Sequence, residues 1–370
     1  MIPRVALGVA LAIAILVAGP ATYLFLASKA SKVAAPPAKP TASTPRAQGF
    51  ALPGTMYLAQ DGALYSLSAG RFHQLTPEAG WMQPALTPDG ANIIAVKRSA
   101  FYSDVYVLNT FGTVLRKVTS NAAPPRLAYD PGQNHWSFYP RLSPDGSTLW
   151  MAYDKPKYGY DVVLSIWAMP YGGSIAQGRL WTNAADYTGG DVQPLPLQGG
   201  VIYTRYDYGP DEKLVGRLWY TNRAYGVGKP LTDPSEDCRS PAISSAGTQV
   251  AMICTYEKQV SYLTIASWNG SSLGPRRTIM TDQMVAQPVW APDGSGIAYL
   301  APGVNAGPFQ LWFLPRAAYE PVPTPVPTPT PGGPHNSPIP SASPVAPAVV
   351  KPIQITTNNG FDATSPIAWR

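Results

Sequence analysis

Cysteine and histidine are nearly absent from this 370-residue sequence, which has two cysteines and three histidines. So few thiol and imidazole ligands argue against a zinc site, which takes three or four protein ligands. Charged residues are also scarce, at 13%, and the formal net charge of +6 is not gathered into a run of lysine or arginine. A surface that follows a phosphate backbone needs such a cluster, so we expect no nucleic-acid partner. We also expect no metal and no cofactor.

A catalytic constellation is lacking as well. Gly270–Gly274 fits the Gly-x-Ser-x-Gly pattern of hydrolases, but that motif works only between a strand and a helix, with Asp and His partners. Here the surrounding residues predict a β-hairpin, and His335 lies in a proline-rich segment. We therefore predict a protein that is not an enzyme.

The N-terminus contains the one long apolar run, the 23 residues from Val5 to Ala27. This length spans a bilayer and exceeds the apolar core of most secretory signals. Residues 1–29 are therefore predicted to be an uncleaved signal-anchor, a transmembrane helix that places the rest of the chain outside the cytoplasm. Ser28-Lys29-Ala30 leaves a cleaved signal peptide as the alternative.

Two further segments are too poor in large apolar side chains to form a core. Residues 30–53 are rich in alanine, proline, threonine and serine and predict a tether. Residues 320–350 contain the repeated prolines of Pro321–Pro329 and predict a disordered insertion.

Between these segments, a proline-led motif occurs six times, with prolines 47 to 78 residues apart. Three copies run into a Pro-Asp-Gly turn and three are eroded; the copies are Gln83–Gly90, Tyr139–Gly146, Gln193–Pro196, Ser240–Ile243, Gln287–Gly294 and Ser365–Trp369. The predicted insertion accounts for the longest interval. A period near 50 residues is typical of propeller blades.

Each unit carries two more signals, an alternating aromatic strand and a closing hydrophobic-Thr pair. The pairs are Leu75-Thr76, Val118-Thr119, Trp181-Thr182, Leu231-Thr232, Met280-Thr281 and Ile355-Thr356. Together the signals predict an all-β, six-bladed β-propeller of four-stranded blades over residues 54–370. Since Pro366–Trp369 supplies only an innermost strand, the N-terminus must supply the other three strands of that closing blade.

The motif resembles the repeat of the TolB-like (WD40-like) six-bladed propellers of the bacterial cell envelope. Pro288–Gly294 followed by Ile297-Ala298-Tyr299 matches best, with Ala291 in place of the family's serine. The third, fourth and sixth copies lack Pro-Asp-Gly. The resemblance implies an exported protein, periplasmic or at the cell surface, that binds a protein or peptide. We expect it to be a membrane-anchored monomer.

Loops on a rigid scaffold carry function, and alternate blade connections fall on opposite faces. The Pro-Asp-Gly turns share one face with both chain ends, so we assign the binding surface to the opposite face, where long aromatic loops gather. Its candidates are Trp81, Tyr129, His135, Trp136, Phe138, Tyr158, Tyr160, Arg205, Tyr206, Tyr208 and Phe361. The alternative is that these aromatic side chains only pack beneath the loops.

Three points stay open at this level. A propeller hydrolase acting on carbohydrate would need converging carboxylates, for which Asp154, Asp207 and Glu257 are the candidates. A surface sensor module is a further alternative. Cys238 and Cys254 lie symmetrically about a predicted turn near residue 246, so they either form a disulfide or pack as reduced thiols.

Overall fold

The structure is a computed structural model that describes residues 52–127, 130–157, 162–209, 211–255, 260–303, 307–320 and 350–370. These residues form six four-stranded antiparallel sheets, and the prediction of a six-bladed propeller is confirmed. The predicted anchor of residues 1–29 lies outside them, as do nearly all of the tether and the insertion. The described part of the chain contains no helix with the length and apolarity to cross a membrane.

Each sheet is one blade. Blade 6, which closes the ring, contains β1 (Thr55–Gln60), β2 (Ala63–Ser68) and β3 (Arg71–Gln74). Blade 1 is β4 (Trp81–Leu86), β5 (Asn92–Arg98), β6 (Ser103–Asn109) and β7 (Val114–Lys117), and blade 2 is β8 (Ser137–Leu142), β9 (Thr148–Tyr153), β10 (Ser165–Pro170) and β11 (Arg179–Leu180). Blade 3 is β12 (Asp191–Leu197), β13 (Gly200–Tyr208), β14 (Leu214–Thr221) and β15 (Lys229–Pro230).

The remaining blades follow the same order from the innermost strand outward. Blade 4 is β16 (Cys238–Ile243), β17 (Gln249–Cys254), β18 (Tyr262–Ser267) and β19 (Arg277–Met280). Blade 5 is β20 (Ala286–Trp290), β21 (Gly296–Pro302), β22 (Phe309–Pro315) and β23 (Ile353–Gln354), and β24 (Ala368–Trp369) completes blade 6. Short 3-10 helices occupy Pro125–Leu127, Pro131–Gln133, Ile175–Gln177, Pro234–Glu236 and Arg316–Ala318.

The closing blade joins the two ends of the propeller. Strand β24 pairs antiparallel with β1, with Met56 opposite Trp369 and Tyr57 opposite Ala368. The amide of Thr55 donates to the carbonyl of Arg370 at 2.7 Å. The C-terminal residues therefore form the innermost strand of blade 6 and leave no open edge at the ring's seam, as the sequence predicts.

The apolar core lies between neighbouring blades rather than at a single centre. Ile94 and Val105 of blade 1, for example, pack in one cluster with Leu149 and Met151 of blade 2. Successive innermost strands also contact one another around the whole ring. Burying each such side chain contributes about 1.5–3 kcal/mol, so every blade depends on both of its neighbours.

The hydrophobic-Thr pair has a structural role in five blades. Its threonine is buried, and its Oγ1 accepts the backbone N–H of the third strand. The pairs are Thr76 with Leu64, Thr119 with Val105, Thr182 with Ile166, Thr232 with Leu218 and Thr356 with Leu311, at 2.9 to 3.0 Å. Blade 4 differs, because the register of β19 shifts at Leu263 and leaves Thr281 exposed.

The proline-led motif corresponds to a β-bulge at the channel. In blades 1 to 5 the residue before the proline has a positive φ of 49–55°, and the pairing with the second strand shifts there. These residues are Gln83, Tyr139, Gln193, Ser240 and Gln287. A left-handed residue other than glycine costs of order 1–3 kcal/mol and persists only where its surroundings hold it.

Hydrogen bonds between blades hold these residues in place. Gln83 donates its amide to Ser365 Oγ at 2.6 Å and accepts the amide of Tyr139 at 2.7 Å through its side chain. Gln193 accepts the amide of Ser240 in the same way, at 2.9 Å. At Gln83, Tyr139 and Ser240 a side chain of the neighbouring blade therefore accepts the N–H that the bulge turns away from its own strand partner.

Cys238 and Cys254 lie directly opposite each other on β16 and β17. Their sulfur atoms are 2.08 Å apart, so the two residues form a disulfide between the innermost and second strands of blade 4. Both side chains are fully buried. The bond ties the two ends of a hairpin together.

Removing this disulfide should weaken the fold. The bond links residues 16 positions apart, and chain entropy gives about 3 kcal/mol for a loop of that size. We expect the Cys238→Ala, Cys254→Ala double variant to lose about that much free energy of unfolding in urea denaturation. Reduction of the wild-type protein should lower its midpoint similarly, and equal midpoints for the oxidised and reduced protein would contradict the assignment.

Candidate functional site

The propeller has two different faces. The innermost strand of each blade begins on the face that we call the mouth face. It ends on the opposite face, which carries the Pro-Asp-Gly turns and which we call the turn face. Arg370 donates to the carbonyl of Gly90, which places the C-terminus on the turn face. Glu320 and Val350, which flank the proline-rich segment, follow β22 and precede β23 and so lie on the turn face too.

The Pro-Asp-Gly aspartates are structural. Asp89 accepts from Thr87 Oγ1 at 2.5 Å and from the amide of Ala91 at 2.9 Å. These hydrogen bonds, the one from Thr87 first, lower the pKa of the Asp89 carboxyl. Such a carboxylate caps its own turn, which accounts for the aspartate at this position.

A cavity of about 280 Å³ opens on the mouth face, above the channel and towards blades 3, 4 and 5. Apolar, aromatic and polar side chains converge on it. It is lined by Tyr139, Gln193, Tyr206, Arg239, Ser240, Ile253, Ser261, Met284, Val285, Ala286, Gln287, Phe309, Ala363 and Thr364. We call this space the mouth cavity.

The channel narrows below the mouth cavity to a space of about 20 Å³, here called the channel floor. The two spaces share four of the left-handed residues, namely Tyr139, Gln193, Ser240 and Gln287. The floor adds the prolines that follow in the motif, and Arg141. The bulges therefore form a collar between a wide upper space and a narrow lower one.

Two arginines face this path, and their surroundings differ. Arg239 contacts Asp237 at 3.1 Å and Thr255 Oγ1 at 3.0 Å, so its charge is compensated at the rim. The guanidinium of Arg141 has no hydrogen-bond or ion-pair partner among the described residues. Burial lowers the pKa of its guanidinium to about 10, and no carboxylate opposes that shift. Arg141 is still charged at neutral pH.

The structure corrects two of the predicted binding residues. Trp81 is 4% exposed and packs among the core residues between blades 6 and 1. Phe361 is 5% exposed and belongs to the cluster between blades 5 and 6. Both were assigned to the surface because they lie in connections to an innermost strand. Their side chains instead turn inward, and they fill the space between two blades.

Three other candidates lie together on the mouth face of blade 2 and are half-buried. Trp136 stacks on Phe138 with ring centres 5.8 Å apart, and the guanidinium of Arg98 lies 5.7 Å from the Trp136 ring. His135 Nδ1 lies 2.9 Å from Asp154 Oδ1. These rings mainly support the loops around the cavity, although part of their surface remains accessible.

The predicted residues of blade 3 have separate roles. Arg205 is nearly buried; its guanidinium contacts both oxygens of Asp191 at 2.7 Å and lies 4.6 Å from the Trp219 ring. Tyr206 lines the mouth cavity, and Tyr208 is exposed beside it. Tyr129, Tyr158 and Tyr160 lie outside the described residues.

Several cavity residues were not predicted, notably Arg141, Arg239, Met284 and Phe309. One signal for Arg141 is present in the sequence. The position directly after the motif proline is Ala85, Leu195, Ala242, Val289 and Ile367 in the other five copies. Only blade 2 places a charge there. Met284 and Phe309 have no comparable signal, because Met284 lies in a loop and Phe309 at the start of β22, outside the repeated motif.

The candidate hydrolase residues do not form a catalytic group within the described residues. Asp154 is buried, and Lys157 Nζ contacts its second oxygen at 2.8 Å. Gly270–Gly274 lies in the turn between β18 and β19, so a strand follows the motif instead of a helix. Glu257 falls outside the described residues, which also contain no cluster of three potential metal ligands.

Neither a protein-family model nor a curated protein matches the sequence. Among solved structures, TolB from Acinetobacter baumannii matches at 16% identity and a TM-score of 0.52, over 71% of this chain and 61% of that chain. A putative TolB from Agrobacterium tumefaciens matches at 14% identity and a TM-score of 0.50, over 71% of this chain and 85% of that chain. A puromycin-hydrolysing peptidase from Mycobacterium tuberculosis matches at 14% identity and a TM-score of 0.48, over 71% of this chain and 42% of that chain.

The fold is therefore that of the TolB-like six-bladed propellers. At such identities the likeness concerns the fold alone, since one propeller fold serves many functions. This chain spans 61% of the length of the Acinetobacter protein.

The pairing of Arg205 with Asp191 gives a test of its structural role. Arg205→Ala leaves a fully buried carboxylate without its cation, and breaking such a pair costs about 3–5 kcal/mol. We expect that loss in the free energy of unfolding, measured in urea. The Arg205→Ala, Asp191→Ala double variant should recover part of the loss. A single variant as stable as the wild type would return Arg205 to the candidate binding residues.

Proposed function

We propose that the protein is a non-enzymatic binding propeller of the bacterial cell envelope, whose mouth cavity holds a peptide segment of a partner protein. The observation that carries the proposal is the mouth cavity itself, a concave space at the entrance of the channel where side chains from several blades converge. The apolar run of residues 5–27 supports an extracytoplasmic, membrane-anchored location.

The size of the cavity favours a short segment over a large ligand. Its volume of about 280 Å³ lies at the lower end of small-molecule sites, which span roughly 300–1,000 Å³. Such a space holds a few side chains of an extended chain or of a loop tip. The rest of the partner would then lie across the mouth face.

The lining has the composition of a protein-binding surface. Aromatic residues, methionine and arginine are enriched where proteins bind one another, and here Tyr139, Tyr206 and Phe309 line the cavity with Met284 and Arg239. Met284 is 50% exposed at the lining of the cavity, so its side chain is accessible to a bound segment. Its flexible thioether adapts to differently shaped partners.

Site-specific photo-cross-linking tests the face assignment. We expect a benzoylphenylalanine at Met284 of the full-length protein to give a discrete adduct in intact cells after illumination. The matched control is Val227, which is 82% exposed on the turn face and should give none. Adding Phe309→Ala should lower the adduct yield roughly tenfold, the loss typical of one binding anchor. The same adduct from Val227 would contradict the proposal.

A further inference from the structure

Arg141 stands at a position where the repeat does not call for a charge. The residue after the motif proline is aliphatic in the other five copies, and those side chains are buried or half-buried. Ala85, in the matching place of blade 1, is almost fully buried. An apolar side chain at residue 141 would therefore satisfy the fold, so the arginine needs a different explanation.

Among the residues that the structure describes, no carboxylate pairs with the Arg141 guanidinium. The channel floor consists of Arg141, Tyr139, the prolines at 194, 241, 288 and 366, and the side chains of Gln193, Ser240 and Gln287. None of these carries a negative charge. Arg141 is half-buried in this narrow space. A guanidinium that is partly withdrawn from water without a counter-ion is costly, and a ligand that enters the channel could supply the missing anion.

The geometry points to a carboxylate as that ligand: we propose that Arg141 is the anchor for a carboxylate that enters through the mouth cavity. A guanidinium presents paired N–H donors that match the two oxygens of a carboxylate. The floor's free volume of about 20 Å³ takes one small group. The collar of left-handed residues leaves only the tip of a chain room to pass.

This inference rests on the proposed function and specifies its ligand. The peptide that occupies the mouth cavity carries a carboxylate at its tip, either as its free C-terminus or as an aspartate or glutamate side chain. The two sources share the chemistry that Arg141 recognises. With a free C-terminus the ligand peptide ends in the channel, whereas with an acidic side chain the ligand peptide turns back out of the channel.

Peptide libraries of matched composition distinguish these sources. Fluorescent random tetrapeptides are prepared in three forms: without acidic residues and with a free C-terminal carboxylate, amidated with one glutamate, and amidated without any acid. Each is applied to immobilised full-length protein. We expect at least one acidic form to be retained about tenfold more than the neutral form, and the form retained identifies the source.

The variants assign that retention to residue 141. Arg141→Met should reduce it to the neutral level and Arg141→Lys should keep part of it, whereas Arg223→Met, which removes an exposed arginine from the turn face, should change nothing. Arg141→Met should also raise the urea midpoint of the unliganded protein, because an unpaired charge is replaced by an apolar chain. A lower midpoint would show a structural role and overturn the inference.

The remaining outcomes separate this inference from the proposed function. Equal retention of neutral and acidic libraries, lost on Phe309→Ala, would leave the mouth cavity as a peptide site and overturn the role of Arg141. Retention of acidic peptides by Arg141→Met would also overturn that role. If the wild-type protein retains none of the three libraries, both proposals fail.

Discussion

The left-handed residue before the motif proline in blades 1 to 5 is the constraint on which the rest of the propeller depends. It shifts the pairing of the innermost strand, and the N–H groups of Gln83, Tyr139 and Ser240 donate to a side-chain acceptor of the neighbouring blade. Gln83 and Gln193 supply two of these acceptors through their side chains. At these positions the strain of a left-handed residue is offset by a hydrogen bond that crosses to the next blade, and this couples the blades at the channel.

The same constraint shapes the site. The bulged residues form a collar, and the residues on either side of it face different spaces, one wide and one narrow. Because four of these residues line both spaces, the scaffold and the binding site use the same positions. Residues that repeat in every blade give the channel similar sides, so a specific site needs residues that differ from the repeat. Arg141 is the clearest such residue.

The fold could be predicted because its signals are local and repeated. Proline, Pro-Asp-Gly and hydrophobic-Thr each correspond to one hydrogen-bonded feature that recurs from blade to blade, and the strand order followed from their order along the chain. The closing blade followed from an unpaired innermost strand at the C-terminus. Thr281 departs from the pattern because a register shift in β19 depends on packing that the motif does not encode.

The site could be predicted only in outline. The choice of face depended only on the alternation of connections between strands. The aromatic residues assigned to that face include both surface and core residues, and Trp81 and Phe361 belong to the core. Whether a ring lies outside or between blades depends on the path of a loop of irregular length. The better signal was Arg141, a single charge at a repeat position that is otherwise aliphatic, since it needs comparison only within the chain.

The proposed site combines an uncompensated guanidinium at the channel floor with an open mouth cavity above it. Anomalous diffraction from crystals soaked in 4-bromobenzoate tests it directly, with 4-bromobenzamide as the uncharged control of the same shape. We expect a bromine peak in the mouth cavity with the carboxylate directed at Arg141, and no such peak for the amide. Equal peaks for both compounds, or benzoate bound only on the turn face, would contradict it.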